Sequence, residues 1–133
     1  MREIKFRGKS NKYGWMYGNL SYREEDGNSA VFIEDQGFCG DLTPVERDTV
    51  GQYTGLKDAN GEDIYEGDIL DLYIPKNNVG KPEHRKRKVI WKDSGFQITN
   101  MHGDSIMDRV TSTIKLIYTI IGNIHDNPEM TEK

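Results

Sequence analysis

The twenty residues Gly51 to Leu70, GQYTGLKDANGEDIYEGDIL, constrain this chain more than any other segment, because two β-type stretches there flank a turn of specific chemistry. Asn and Gly occupy positive φ at least cost, and β-formers stand on both sides of Asn60-Gly61, at Gln52-Tyr53-Thr54 and Ile64-Tyr65. The pattern predicts a two-residue type I′ hairpin with Asn60 and Gly61 both at φ > 0. A chain organised around such a hairpin reads as all-β.

Strand signals recur on either side. Ile4-Lys5-Phe6-Arg7 alternates apolar with basic, and Trp15-Met16-Tyr17-Gly18-Asn19-Leu20 returns as its partner in an amino-terminal hairpin. A polar turn at residues 24–28 precedes Ala30-Val31-Phe32-Ile33. Residues 35–44 read as irregular and 45–48 as one helical turn. Ile69 to Ile74 places Leu70, Leu72 and Ile74 on one face, and Pro75 ends the run, since it has no N–H to give a ladder. Residues 75–83 read as a polar loop. Lys88 to Thr99 reads as a hairpin turning through Asp93-Ser94-Gly95, with Gly95 in the left-handed position. Thr111 to Ile124, rich in β-branched residues, reads as a long buried strand stopped by Asn127-Pro128, with 129–133 a frayed tail.

At 133 residues, 35% of them apolar, the chain can bury one core with an attached lobe. The longest apolar run, Leu116 to Gly122, falls far short of the ~20 residues of a membrane helix, so no membrane association is expected. No leader pattern precedes the first strand, which sets the expectation of a cytoplasmic protein. Cys39 has no second cysteine to pair with and no neighbouring cation to activate it, so a small packed thiol is its expected role.

The net charge of −4 hides an uneven distribution: residues 76–92 carry seven Lys or Arg against one Glu, +6, which leaves −10 elsewhere. Overall acidity argues against a general nucleic-acid binder. A local patch of Lys81, Arg85, Lys86, Arg87, Lys88 and Lys92 survives that objection, and Trp91 or Phe96 nearby could stack on unpaired bases. The bland alternative is a solvated loop running into an edge strand, where lysine also discourages sheet-to-sheet aggregation.

Other constellations fail on spacing. Asp58, Asn60, Glu62, Asp63, Glu66 and Asp68 invite a calcium reading, yet Gly61 comes fourth after Asp58 and the twelfth residue is Ile69, where an EF-hand loop needs Gly and a bidentate Glu. His84, His102 and His125 lie in separate segments without a local second ligand. No phosphate loop, nucleophile elbow or HExxH pattern is present. The residues therefore predict no catalytic group, no metal and no cofactor.

Several short strands joined by tight turns suggest a small closed barrel, and Gly67-Asp68 ahead of an apolar strand is a frequent feature of SH3-like barrels. The segments Gly51 to Asp58, Asn60-Gly61, Ile64 to Ile69, Ile121-Gly122-Asn123-Ile124 and Asn127-Pro128-Glu129 resemble the YopX family of phages and prophages, as does the opening Arg2 to Arg7. The likeness is loose over 20–48 and 76–113, and His125 and Asp126 stand where the family often has an aromatic residue and Glu. It implies a carboxy-terminal SH3-like barrel, a phage or prophage setting in the host cytoplasm, and no catalytic residues.

The expected domains are a β lobe at 1–49, an SH3-like barrel at 50–128 and a tail at 129–133, with Asn60, Gly61, Gly67 and Asp68 as structural turn residues. The expected function is a non-catalytic interaction module, self-associating and contacting a host or phage protein. The alternative is a nucleic-acid-binding accessory factor acting through residues 81–92. Tyr13, Trp15, Tyr17, Tyr22 and Phe32 crowd a fifty-residue segment too small for its own core. That excess predicts a homo-oligomer with Trp15 and Tyr17 at the contact.

Overall fold

The computed structural model describes residues 3–25, 28–34, 42–76, 79–92, 95–102 and 117–131. They form two antiparallel sheets with almost no helix, in two compact units, Met1–Gly55 and Leu56–Lys133. The division lies between Gly55 and Leu56. The reason is local: the start of strand Gly51–Lys57 is a partner of the first strand, with Phe6 opposite Gln52.

In the first unit β1 (Phe6–Ser10), β2 (Gly14–Glu25), β3 (Asn28–Glu34) and β4 (Leu42–Val45) are followed by a 3-10 turn at Arg47–Thr49 and by the start of β5 (Gly51–Lys57). Their sheet order is β4-β3-β2-β1-β5. The twelve-residue β2 serves two ladders: Gly14 to Gly18 pair with β1, and Asn19 to Glu25 with β3. Residues 42–44, expected to be irregular, and Val45, expected in a helical turn, are a strand, and the helical turn is the 3-10 turn at Arg47–Thr49. Pro44 is tolerated there because β4 is last in the sheet order, where a missing N–H breaks no interior ladder.

Val31 and Ile33 are the buried centre of this unit, opposite Val45 and Thr43 on β4. The end of β4 is tied back to β1. Glu46 N donates to Lys9 O at 2.9 Å, Lys9 N donates to Thr49 Oγ1 at 2.8 Å, and that hydroxyl donates to Glu46 O at 2.6 Å. Gly8 makes the approach possible, since a β-carbon there would lie 2.7 Å from Val45 Cγ2.

In the second unit the end of β5 leads through a turn to β6 (Asp63–Tyr65), then β7 (Asp68–Ile74), β8 (Glu83–Lys92), β9 (Gly95–Thr99), β10 (Ile117–Asn123) and a 3-10 turn at Pro128–Thr131. The four-stranded sheet runs β10-β7-β8-β9, antiparallel throughout. Ile64, Leu70 and Val89 form its core, with Ile98, Tyr118 and Ile120 packed against them. Each fully buried aliphatic side chain contributes about 1.5–3 kcal/mol. The alternation expected for 69–74 is present, although Ile69 on the second face is buried as completely as Leu70.

Three sequence expectations change here. Glu83 is strand rather than loop, and so are the unassigned residues 84–87, because each pairs with β7, from Glu83 opposite Ile74 to Arg87 opposite Leu70. Gly95 opposes Lys92 within the ladder and has no positive φ, so it is a strand residue rather than the left-handed position of a turn. A 3-10 turn at residues 128–131 takes in 129–131 of the expected frayed tail. Among the described residues no ladder joins β9 to β10, so this sheet is open where a closed barrel was expected. Residues 111–116 of the expected long strand, Cys39, and the turn residues Asp93 and Ser94 lie outside the described residues. No helix among the described residues is long and apolar enough to cross a membrane.

Candidate functional site

The segment that opened the sequence reading is built around a carboxylate. Gly61 N donates to Asp58 O at 3.1 Å and Asp58 N to Glu62 O at 2.8 Å, so Ala59 and Asn60 are the central pair of the turn and Gly61, at φ 83°, follows them. This three-residue loop replaces the expected two-residue turn at Asn60-Gly61. Asp58 decides the choice, since its Oδ1 accepts both Asn60 N and Glu62 N at 2.9 Å, an arrangement suited to Asp at the first turn position with Gly at the fourth.

Asp58 reaches further. Its Oδ2 accepts Ile120 N at 3.0 Å, and Ala59 N donates to Tyr118 O at 2.8 Å, so the turn is latched to β10. The side chain is buried, which by itself would raise its pKa. The three backbone N–H groups outweigh burial and hold the carboxyl below its ordinary value. The calcium reading noticed Asp58 for its charge and missed this role. The signal available was Asp58 followed three positions later by Gly61.

Gly67 and Asp68 are a second fixed turn. Gly67 has φ 93°, its N donates to Val89 O at 2.8 Å, and its O accepts Ile124 N at 2.9 Å. Asp68, 1% exposed, accepts Tyr65 N at 2.7 Å on Oδ2. Neither turn carboxylate, Asp58 or Asp68, is exposed at the surface.

The six basic residues do not form one patch. Strand alternation sends Arg85 and Arg87 to the face of β8 that carries Val89, and Lys86, Lys88 and Lys92 to the other. Arg87 is buried, with Nη1 donating to Lys86 O, and Arg85 grips Glu83 through Nε and Nη2 at 3.0 and 3.1 Å. Lys81 precedes the strand. On the lysine face, His84 Nδ1 lies 2.8 Å from Asp71 Oδ2, and its ring stands 5.0 Å from that of Tyr73. Trp91 and Phe96 pack edge to face at 4.8 Å on the opposite side from the lysines, so they cannot supply a stacking platform for that row. β8 is an interior strand of the sheet, not the expected edge.

In the first unit the aromatic residues meet cations. The Arg7 guanidinium lies over Trp15 at 4.8 Å and the Lys5 ammonium over Tyr53 at 4.8 Å. Such pairs contribute about 0.5–2 kcal/mol, more when desolvated, and Arg7 is buried. Trp15 is half-buried, whereas Tyr17 is 46% exposed, and Tyr13 and Tyr22 are exposed as well. A small cleft of about 190 Å³ is lined by Ser10, Asn11, Lys12, Pro44, Val45 and Glu46. Among the described residues no three of His, Cys, Asp and Glu are grouped to hold a metal ion.

A family model described as YopX protein matches residues 5–132. Among solved structures, protein EF1440 from Enterococcus faecalis is similar to the chain at 24% identity with a TM-score of 0.55, over 99% of this chain and 100% of that one. A likeness at that identity speaks to fold alone. No curated protein matches.

Proposed function

The chain belongs to the YopX family, and on that premise we propose that it is a non-catalytic interaction module of phage or prophage origin. In this reading it works in the host cytoplasm, associates with itself, and docks a host or phage protein. The supporting observation is the set of large side chains that the first unit leaves in solvent: Tyr13, Tyr17 and Tyr22. Tyrosine is favoured at interfaces because its ring supplies apolar area while its hydroxyl tolerates water.

Size exclusion coupled to light scattering at micromolar concentration is expected to give the mass of a homo-oligomer, most simply a dimer, and Tyr17→Glu is expected to shift it to a single chain. A single-chain mass for the unaltered protein would refute self-association.

The nucleic-acid reading is favoured by one observation, the common face of Lys86, Lys88 and Lys92, and weakened by the loss of Arg85 and Arg87 to other partners. Changing the three lysines together to Ser is expected to move stability by less than about 1 kcal/mol, because exposed charges contribute little. Retention on heparin across a salt series is expected to be weak and the same for both proteins. Salt-sensitive retention that the triple variant loses would promote the nucleic-acid reading over self-association.

A further inference from the structure

Two features of Asn60 bear on its chemistry. It is the only asparagine in the sequence followed by glycine. Its carboxamide makes no hydrogen bond among the described residues, whereas those of Asn100, Asn123 and Asn127 are engaged: Asn100 Oδ1 by His102 N, Asn123 Oδ1 by His125 N and Asp126 N, and Asn127 Oδ1 by Asn123 N. Asn11 and Asn19 are followed by Lys12 and Leu20, whose side chains crowd the next backbone nitrogen. Asn60 and Gly61 are both exposed, and the space where a Gly61 side chain would stand holds no atom within 4 Å.

From this we infer that Asn60 is a site of spontaneous deamidation. The Gly61 backbone nitrogen, after giving its proton to a solvent base, attacks Asn60 Cγ. The N–Cγ bond forms, the Cγ–Nδ2 bond breaks, and the amide nitrogen leaves as ammonia after taking a proton from water. Water then opens the resulting cyclic imide at either carbonyl, giving aspartate or isoaspartate. The sum is asparagine plus water to acid plus ammonia, with no oxidant or cofactor.

The step requires the 3.1 Å bond from Gly61 N to Asp58 O to open, and exposed turn bonds open readily compared with a core ladder. The product acts on the latch. Isoaspartate adds a backbone carbon between residues 60 and 61, so Gly61 N and Glu62 N no longer reach Asp58 together, and the new carboxylate stands beside Asp58, Glu62 and Asp63.

The test holds the purified full-length chain at mildly alkaline pH for days, then maps its peptides by mass spectrometry, with isoaspartyl methyltransferase labelling as a second readout. The Asn60 peptide is expected to gain the amide-to-acid mass increment before the peptides of Asn11, Asn19, Asn100, Asn123 or Asn127 and to take up methyl label. An Asn60→Ser variant is expected to lose both signals there. Another of these asparagines converting first would overturn the proposal. So would a folded-chain rate far below that of the urea-unfolded chain, because the turn would then shield Asn60 rather than present it.

Discussion

Replacing Asp58 with alanine is expected to destabilise the second unit by roughly 2–4 kcal/mol, among the largest effects of any single polar substitution in this chain. Three backbone donors, Asn60 N, Glu62 N and Ile120 N, lose their acceptor at once, and the one on β10 has least access to replacement water. Urea unfolding followed by Trp91 fluorescence in a Trp15→Phe background reads this unit. Asp58→Asn is expected to cost less, about 1–2 kcal/mol, since one oxygen can still accept.

The sign of the pH dependence follows from the lowered pKa. A carboxyl held lower in the folded than in the unfolded chain stabilises fully above the ordinary carboxylate range, and that contribution is lost as pH falls through the depressed value. Acid unfolding is thus expected to be steeper for the unaltered protein than for Asp58→Asn. Equal slopes, or an Asp58→Ala midpoint unmoved, would mean the latch carries no stability.

The second large effect is expected at Gly8. A methyl group there meets Val45 Cγ2 at 2.7 Å and Val45 Cβ at 2.9 Å, closer than packed carbons approach, so Gly8→Ala is expected to cost about 1–3 kcal/mol. Val45→Gly removes the obstructing atoms. In the double variant the cost of the alanine at position 8 is expected to fall well below its value alone, a coupling that a double-mutant cycle measures directly. Additive effects would show that the two residues do not touch.

How much of this was legible in the sequence depended on whether the deciding partner was near in the chain. Ile69 to Ile74 and Lys88 to Trp91 announced themselves as strands because period-two alternation is local. The turn at residues 58–62 was found but placed one position late, since the Asn-Gly pair speaks for a two-residue loop and the vote cast by the Asp58 side chain needs its three-dimensional partners. Glu83 was read as loop and 84–87 were left unassigned because charged residues weaken a strand pattern. Their pairing with β7 supplies what propensity does not.

The basic patch failed for the same reason. A run of like charges looks continuous in a sequence, and a pleated strand deals it alternately to two faces. Trp15 and Tyr17 were singled out by composition alone, and the structure adds that one is held by a buried arginine while the other is left in solvent.

The division of β2 between two ladders has a consequence for time rather than for stability. Both of its hairpins close over short connections, β1–β2 through residues 11–13 and β2–β3 from Glu25 to Asn28, so each can form on the scale of about 1–10 μs. The bond from Lys9 to Thr49 spans forty positions and has to wait for a much larger loop to close. A chain leaving the ribosome can therefore assemble the three-stranded meander early and hold its first strand with one side unsatisfied until β5 arrives. During that interval β1 is open to the wrong neighbour, which makes the delay before Gly51 is synthesised the moment at which this protein is most exposed to mispairing.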